Sequence, residues 1–137
     1  MKLIHISDIH IHGQAILGYD PVANFKACME HVNRHNADAD LVIISGDLTH
    51  HGKSDSYALL KQMLDNWSFA PLLMMGNHDN RDNLRTVFAD TPTDPDGYVQ
   101  YVHQTSIGRF ILLDTAEAGT HSGHFGVKRQ AWLRQQL

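Results

Sequence analysis

Three short apolar runs constrain this chain more than any other feature. Leu3-Ile4-x-Ile6, Leu41-Val42-Ile43-Ile44 and Leu72-Leu73-Met74-Met75 each end abruptly at a polar cluster. Runs of this length, bounded by Ser, Gly, Asp and Asn, read as strands buried on both faces. Between the first two, Asp20 precedes Pro21, which suits an N-cap followed by proline at the first helical position. Val22, Phe25, Met29 and Val32 then recur at helical spacing and give one apolar stripe. Between the second and third runs, Ser54 is placed to cap a helix, Asp55 favours its positive end, and Tyr57, Leu60 and Leu64 share a face. Strand, helix, strand, helix, strand predicts an α/β fold with a largely parallel sheet.

Past the third run the pattern changes. A short helix is expected around Leu84 to Phe88. Residues 90 to 97 hold two prolines, three aspartates and a glycine, the composition of a surface loop. Tyr98 to His103 and Arg109 to Asp114 read as an antiparallel hairpin turning near Gly108, and a last helix from about Lys128 carries Trp132 and Leu133. At 137 residues the chain is long enough for one apolar core and too short for two, so residues 1–137 are expected to form a single domain. The formal net charge of -4 with scattered basic residues lacks the electrostatic footprint of a nucleic-acid binder. The lone Cys28 cannot build a disulfide framework, and the N-terminal apolar run is too short to span a membrane. A cytoplasmic protein with no membrane partner is expected.

The three strand ends carry Asp8-Ile9-His10, Gly46-Asp47 and Gly76-Asn77-His78-Asp79. In open α/β sheets, ligands bind beyond the carboxyl ends of parallel strands, so segments distant in sequence converge there. Oxygen donors from Asp8, Asp47 and Asn77 with nitrogen from His10 suit a hard or borderline divalent ion. Two such ions about 3.5 to 4 Å apart clamp both the attacking and the leaving oxygen in phosphoryl transfer. Asp47 is well placed to bridge them. Each cluster alone also reads as an ordinary turn, since Gly, Asn and Asp are turn formers. Their joint placement, one strand-helix unit apart, favours a metal site.

There are eleven histidines. His5 reads as a core or sheet-face residue, His31 and His35 as the exposed side of the first helix, and His103 as part of the hairpin. His12, His50 and His51 follow ligand motifs into loops at the carboxyl edge, where they either line a substrate pocket or are simply solvated, as most loop histidines are. His121 and His124 read as loop residues, with polar side chains in the usual manner of loops.

The motifs Asp8-x-His10, Gly46-Asp47 and Gly76-Asn77-His78-Asp79 resemble the first three of the calcineurin-like metallophosphoesterases. The flanking His5-Ile6-Ser7, Val42 to Ser45 and Leu112-Leu113-Asp114-Thr115 resemble its class III cyclic-nucleotide phosphodiesterase and glycerophosphodiesterase branch. The resemblance implies the N-terminal half of an α/β/β/α sandwich. It implies that Asp8 and His10 hold one metal, Asp47 bridges two, Asn77 holds the other, His78 acts on the phosphate, and Asp79 orients its neighbours. It further implies hydrolysis of small phosphodiesters, such as cyclic nucleotides or glycerophosphodiesters, by a hydroxide activated between two ions of manganese, iron, zinc or cobalt. The family's later histidine motifs are not found, so at most one partly occupied metal, weak or absent activity and a homo-oligomer covering exposed apolar surface are expected. A non-catalytic, partner-binding remnant and a nuclease of the same superfamily are the alternatives. Nucleic acid is not expected as the main partner.

Overall fold

The computed structural model describes all residues, Met1–Leu137. Strand β1 (Leu3–Ile6) leads to helix α1 (Pro21–His35), β2 (Leu41–Ser45), α2 (Ser54–Asp65), β3 (Leu72–Met74) and the short α3 (Arg81–Val87). The antiparallel pair β4 (Tyr101–Thr105) and β5 (Gly108–Leu112) follows, and α4 (Val127–Gln136) closes the order. β1, β2 and β3 form a parallel sheet in that spatial order, with Leu3 opposite Leu41 and Ile43 opposite Leu72. The expected α/β architecture, with a parallel sheet and an antiparallel hairpin, is what the chain adopts.

Helix α1 starts where the capping logic places it. Asp20 Oδ1 accepts the backbone N–H groups of Val22 and Ala23, each at 3.0 Å, and Pro21 occupies the first turn. Phe25, Met29 and Val32 are buried on its inner face. α1 and α2 lie side by side: Trp67, just beyond α2, donates its indole N–H to Asn33 Oδ1 of α1 at 2.9 Å and packs edge-on to Phe25. Nineteen buried apolar residues, drawn from α1, α2, β2, β3, the hairpin and the segments between them, make one continuous cluster, against which the half-buried Ile4 and Ile6 of β1 pack. Tyr101 of β4 joins hairpin to sheet, donating its hydroxyl to the Leu73 carbonyl at 2.9 Å. Burial pushes the Tyr101 phenol up to about 12.

Three expectations are corrected. Only β2 is buried along its length, whereas β1 exposes Leu3 and His5, because the order β1-β2-β3 leaves the first strand at an edge. Ser54 is the first residue of α2 rather than its cap; Lys53 holds that position and no side chain caps the helix. The hairpin strands are Tyr101–Thr105 and Gly108–Leu112 rather than Tyr98 to His103 and Arg109 to Asp114, still turning beside Gly108; α4 carries Trp132 and Leu133, both half-buried, where expected, and also buries Arg129.

Candidate metal centre

All three polar clusters converge beyond the carboxyl ends of β1, β2 and β3. The backbone that brings them together is unusual. Asp8, His10 and Asp47 have φ angles of 58°, 45° and 46°. Non-glycine residues avoid this left-handed region, and where the fold holds them in it they cluster at functional sites. The loops are locked to each other by backbone hydrogen bonds: Asp8 N–H to the Gly46 carbonyl at 3.2 Å, His10 N–H to Asp47 at 2.8 Å, and Ile11 N–H to Leu48 at 2.9 Å. The β1 exit therefore continues alongside the β2 exit after regular pairing has ended.

One potential ligand atom from each of Asp8, His10 and Asp47 lies within 4.8 Å of the others. Asp47 Oδ1 accepts the His78 backbone N–H at 3.0 Å, while Oδ2 faces His10 Nε2 at 3.6 Å. Gly76 makes the close approach possible, since a Cβ there would overlap the Asp47 carboxylate and amide. At Gly46, φ is 109° and a Cβ would lie 2.8 Å from the Gly76 nitrogen. Two glycines thus allow β2 and β3 exits to touch, which a side chain at either position would prevent.

Asp79 ties this arrangement together. Its carboxylate accepts the N–H groups of Leu48, Thr49 and Gly76, each at 3.0 Å, and the hydroxyls of Thr49 at 3.2 Å and Tyr57 at 2.8 Å. Burial pushes the Asp79 carboxyl above its ordinary value, against the opposing pull of these hydrogen bonds. The Tyr57 hydroxyl in turn accepts the Asn80 N–H at 2.9 Å, and burial together with the Asp79 charge holds its phenol far above the usual range. Sequence patterns identify Asp79; Tyr57 reads there only as a core residue of α2.

His78 is oriented by main chain. Its Nδ1 donates to the His50 carbonyl at 2.8 Å, because a carbonyl can only accept, and Nε2 is left as the free nitrogen. The His50 ring stacks on His78 with centroids 5.4 Å apart, and His10 meets both edge-on at 5.5 and 4.8 Å. Burial, and then the charges of His51, His10, His78 and His12, hold the His50 imidazole below its ordinary value. His51 lies against His50 at 4.3 Å and His12 against His51 at 5.5 Å. Of the three pocket candidates, His50 lines a cleft of about 560 Å³ with Asp8, His10, His78, Tyr19 and Asn24. His12 and His51 stand behind it.

Asn77 is exposed, and its side-chain nitrogen lies 2.7 Å from His121 Nδ1. That contact revises the expectation for His121. It belongs to a loop as expected, but the loop returns to the sheet edge and sets the ring 5.1 Å from His78. No local pattern marks it, because the approach depends on how residues 115 to 126 fold back. His124 stays at the loop's far end, its ring against Gly126.

The residues fit a cation. Asp47 Oδ2 and Asp8 supply negative charge, His10 supplies nitrogen, and the His10 Nδ1 atom is buried with no hydrogen-bond partner. An α/β sheet whose strand ends gather carboxylates and imidazoles around left-handed backbone has the donor set of a divalent-cation site. The calcineurin-like phosphoesterase family model matches residues 1–134, and the chain belongs to that family, whose members are metal-dependent. It is 34% identical, over its whole length, to a probable cyclic nucleotide phosphodiesterase of Rhodopseudomonas palustris, covering 52% of that protein. It is 31% identical, again over its whole length, to a probable glycerophosphodiester phosphodiesterase of Arcobacter nitrofigilis, covering 52%. The 3',5'-cyclic adenosine monophosphate phosphodiesterase of Escherichia coli is 24% identical and covered to 50%. The chain spans about half the length of these relatives. No helix is long and apolar enough to cross a membrane.

Proposed function

We propose that residues 1–137 act as one domain of a cytoplasmic, metal-dependent phosphodiesterase that hydrolyses small phosphodiesters of the cyclic nucleotide or glycerophosphodiester class. The observation that carries the reading is the convergence of Asp8, His10 and Asp47 within 4.8 Å on strained backbone. Asp8, His10 and Asp47 would hold a divalent ion, and Asp47 with the Asn77 amide oxygen would be the donors for a second. When bound, such ions supply charge stabilisation for the phosphoryl oxygens and acidify water toward neutral pH. Asp79 fixes both loops, and Gly76 keeps the approach open.

His78 has the role of proton donor. With Nδ1 committed to the His50 carbonyl, its Nε2 in the protonated form donates to the leaving oxygen as the P–O bond breaks. Water supplies the hydroxyl that joins phosphorus, so a glycerophosphodiester would give a phosphomonoester and an alcohol, and a cyclic nucleotide a single ring-opened phosphomonoester. The cleft beside it, with apolar walls from Ile6, Ile16 and Phe25 and the polar Asn24, suits the organic part of a small substrate. Exposed Leu17 and Tyr19, at 94% and 71%, support a self-associated state, which light scattering measures.

The test uses the protein in its full natural length with added manganese and bis(p-nitrophenyl) phosphate. Hydrolysis is expected, abolished in Asp47→Ala and strongly reduced in kcat for His78→Ala. Undiminished turnover in Asp47→Ala would show that the carboxylate is not a ligand in the working site.

A further inference from the structure

The carboxylate group is not the only set of donors at the sheet edge. His10, His50 and His78 each offer a ring nitrogen within 4.8 Å of the other two. No motif of the phosphodiesterase reading uses the His50 side chain. Two observations set this triad apart from a chance cluster. The Nδ1 atoms of His10 and His50 are both buried and both lack any hydrogen-bond partner, and an unpaired buried polar atom is rare enough to need a cause such as an ion. His78 is also prepared as a ligand, since its Nδ1 donates to the His50 carbonyl and its other nitrogen is free. The same loop therefore supplies one imidazole and orients a second.

We propose that His10, His50 and His78 form a second cation site, selective for divalent ions that prefer imidazole, namely zinc, copper and nickel, and that it competes with the Asp8–His10–Asp47 group for His10. Imidazole donors suit these ions, whereas carboxylate oxygens suit manganese and magnesium. Nitrogens about 2.0 Å from one tetrahedral ion lie about 3.3 Å apart, so small ring rotations close the present spacing. His10, His50 and His78 are only half-buried and have room for them. Because His10 serves both groups, an ion on the imidazole side displaces one on the carboxylate side. It also occupies the nitrogen of His78 that the proposed proton transfer needs. That inhibitory consequence rests on the phosphodiesterase reading; the binding itself does not.

The experiment reads metal binding rather than turnover, with cupric ion as the probe. The exposed His31 and His35 on α1, with ring centroids 4.6 Å apart, offer an unrelated two-nitrogen site, so every sample carries His31→Gln. One equivalent of Cu²⁺ added to the metal-stripped chain is expected to give electron paramagnetic resonance coupling to three nitrogens. His50→Gln should reduce this to two and weaken copper binding about tenfold or more, while leaving manganese affinity unchanged. Asp8→Asn should do the reverse, lowering manganese affinity and preserving the three-nitrogen signal. Three nitrogens persisting in His50→Gln, or lost in Asp8→Asn, would overturn the proposal, and the second variant decides the matter even where the first does not fold. Neither outcome bears on hydrolysis, so the two readings fail separately.

Discussion

Two buried aspartates in this molecule occupy opposite kinds of surroundings. Asp114, at the end of β5, is fully buried and saturated: Arg81 Nε and Nη2 donate to it at 2.8 and 2.9 Å, and the amides of Val99 and Ala116 at 2.9 and 3.1 Å. Arg129, itself 2% exposed, donates to the carbonyls of Asp114 and Ala116 and reaches Glu117 at 3.2 Å, with its guanidinium 4.5 Å from the centre of the Tyr98 ring. Asp47 has one backbone donor on Oδ1, a histidine 3.6 Å from Oδ2, and a φ of 46°. The first carboxylate is matched by charge and hydrogen bonds, the second is left short of both. Left-handed backbone at a non-glycine residue clusters at functional sites, which agrees with the ligand role proposed for Asp47.

The largest expected effect breaks the matched side. Asp114→Ala leaves the Arg81 guanidinium without its carboxylate and the amides of Val99 and Ala116 without their acceptor, and should lower unfolding stability by about 3–5 kcal/mol, measured by urea denaturation. The same change at Asp47 should cost far less fold and far more metal. Equal losses at the two positions would erase the distinction.

The next effect concerns pH and the framework side. The folded Tyr101 phenol titrates at about 12 against an unfolded value near 10, so the folded state favours the protonated form. Its contribution is complete below pH 10 and is lost as pH rises from 10 to 12. With a difference of about two units, roughly 2–3 kcal/mol should disappear over that window, and Tyr101→Phe should flatten this part of the stability profile. The phenylalanine variant loses about 1 kcal/mol at neutral pH, where the hydrogen bond to Leu73 is missing.

Gly76→Ala probes the contact between loops. The added Cβ overlaps the Asp47 carboxylate, so overpacking should cost about 2 kcal/mol and manganese affinity should fall in parallel, by calorimetry. A variant that unfolds earlier but binds manganese unchanged would separate the glycine from the site. The smallest effect has the opposite sign. Asp47→Gly removes the left-handed penalty and should raise the stability of the metal-free chain by about 1 kcal/mol, while added manganese no longer raises its melting temperature.

The sequence carries local information about this fold better than relational information. The Asp20-Pro21 start of α1 and the three strand-end clusters are legible because capping, apolar period and turn chemistry act within a few residues. The exposure of β1 is not, since Leu3-Ile4-x-Ile6 looks the same in a central strand as at an edge, and only the strand order decides. Nor is Arg129, which lies among polar residues of α4 and is buried only because Asp114 is waiting in another element. At the site, Asp8, His10, Asp47 and His78 stand in recognisable motifs. His121 and the Tyr57 hydroxyl reach the same edge from segments that carry no mark of it.

The Tyr57 hydroxyl joins Asp79 to Asn80 and, through Asp79, the exit of β2 to the exit of β3. For anyone transplanting this centre into another scaffold, the two exit loops and one turn of α2 are therefore a single module. Copying Gly46-Asp47 and Gly76-Asn77-His78-Asp79 without a phenol beneath them would import the polar motifs and leave behind the clamp that spaces them.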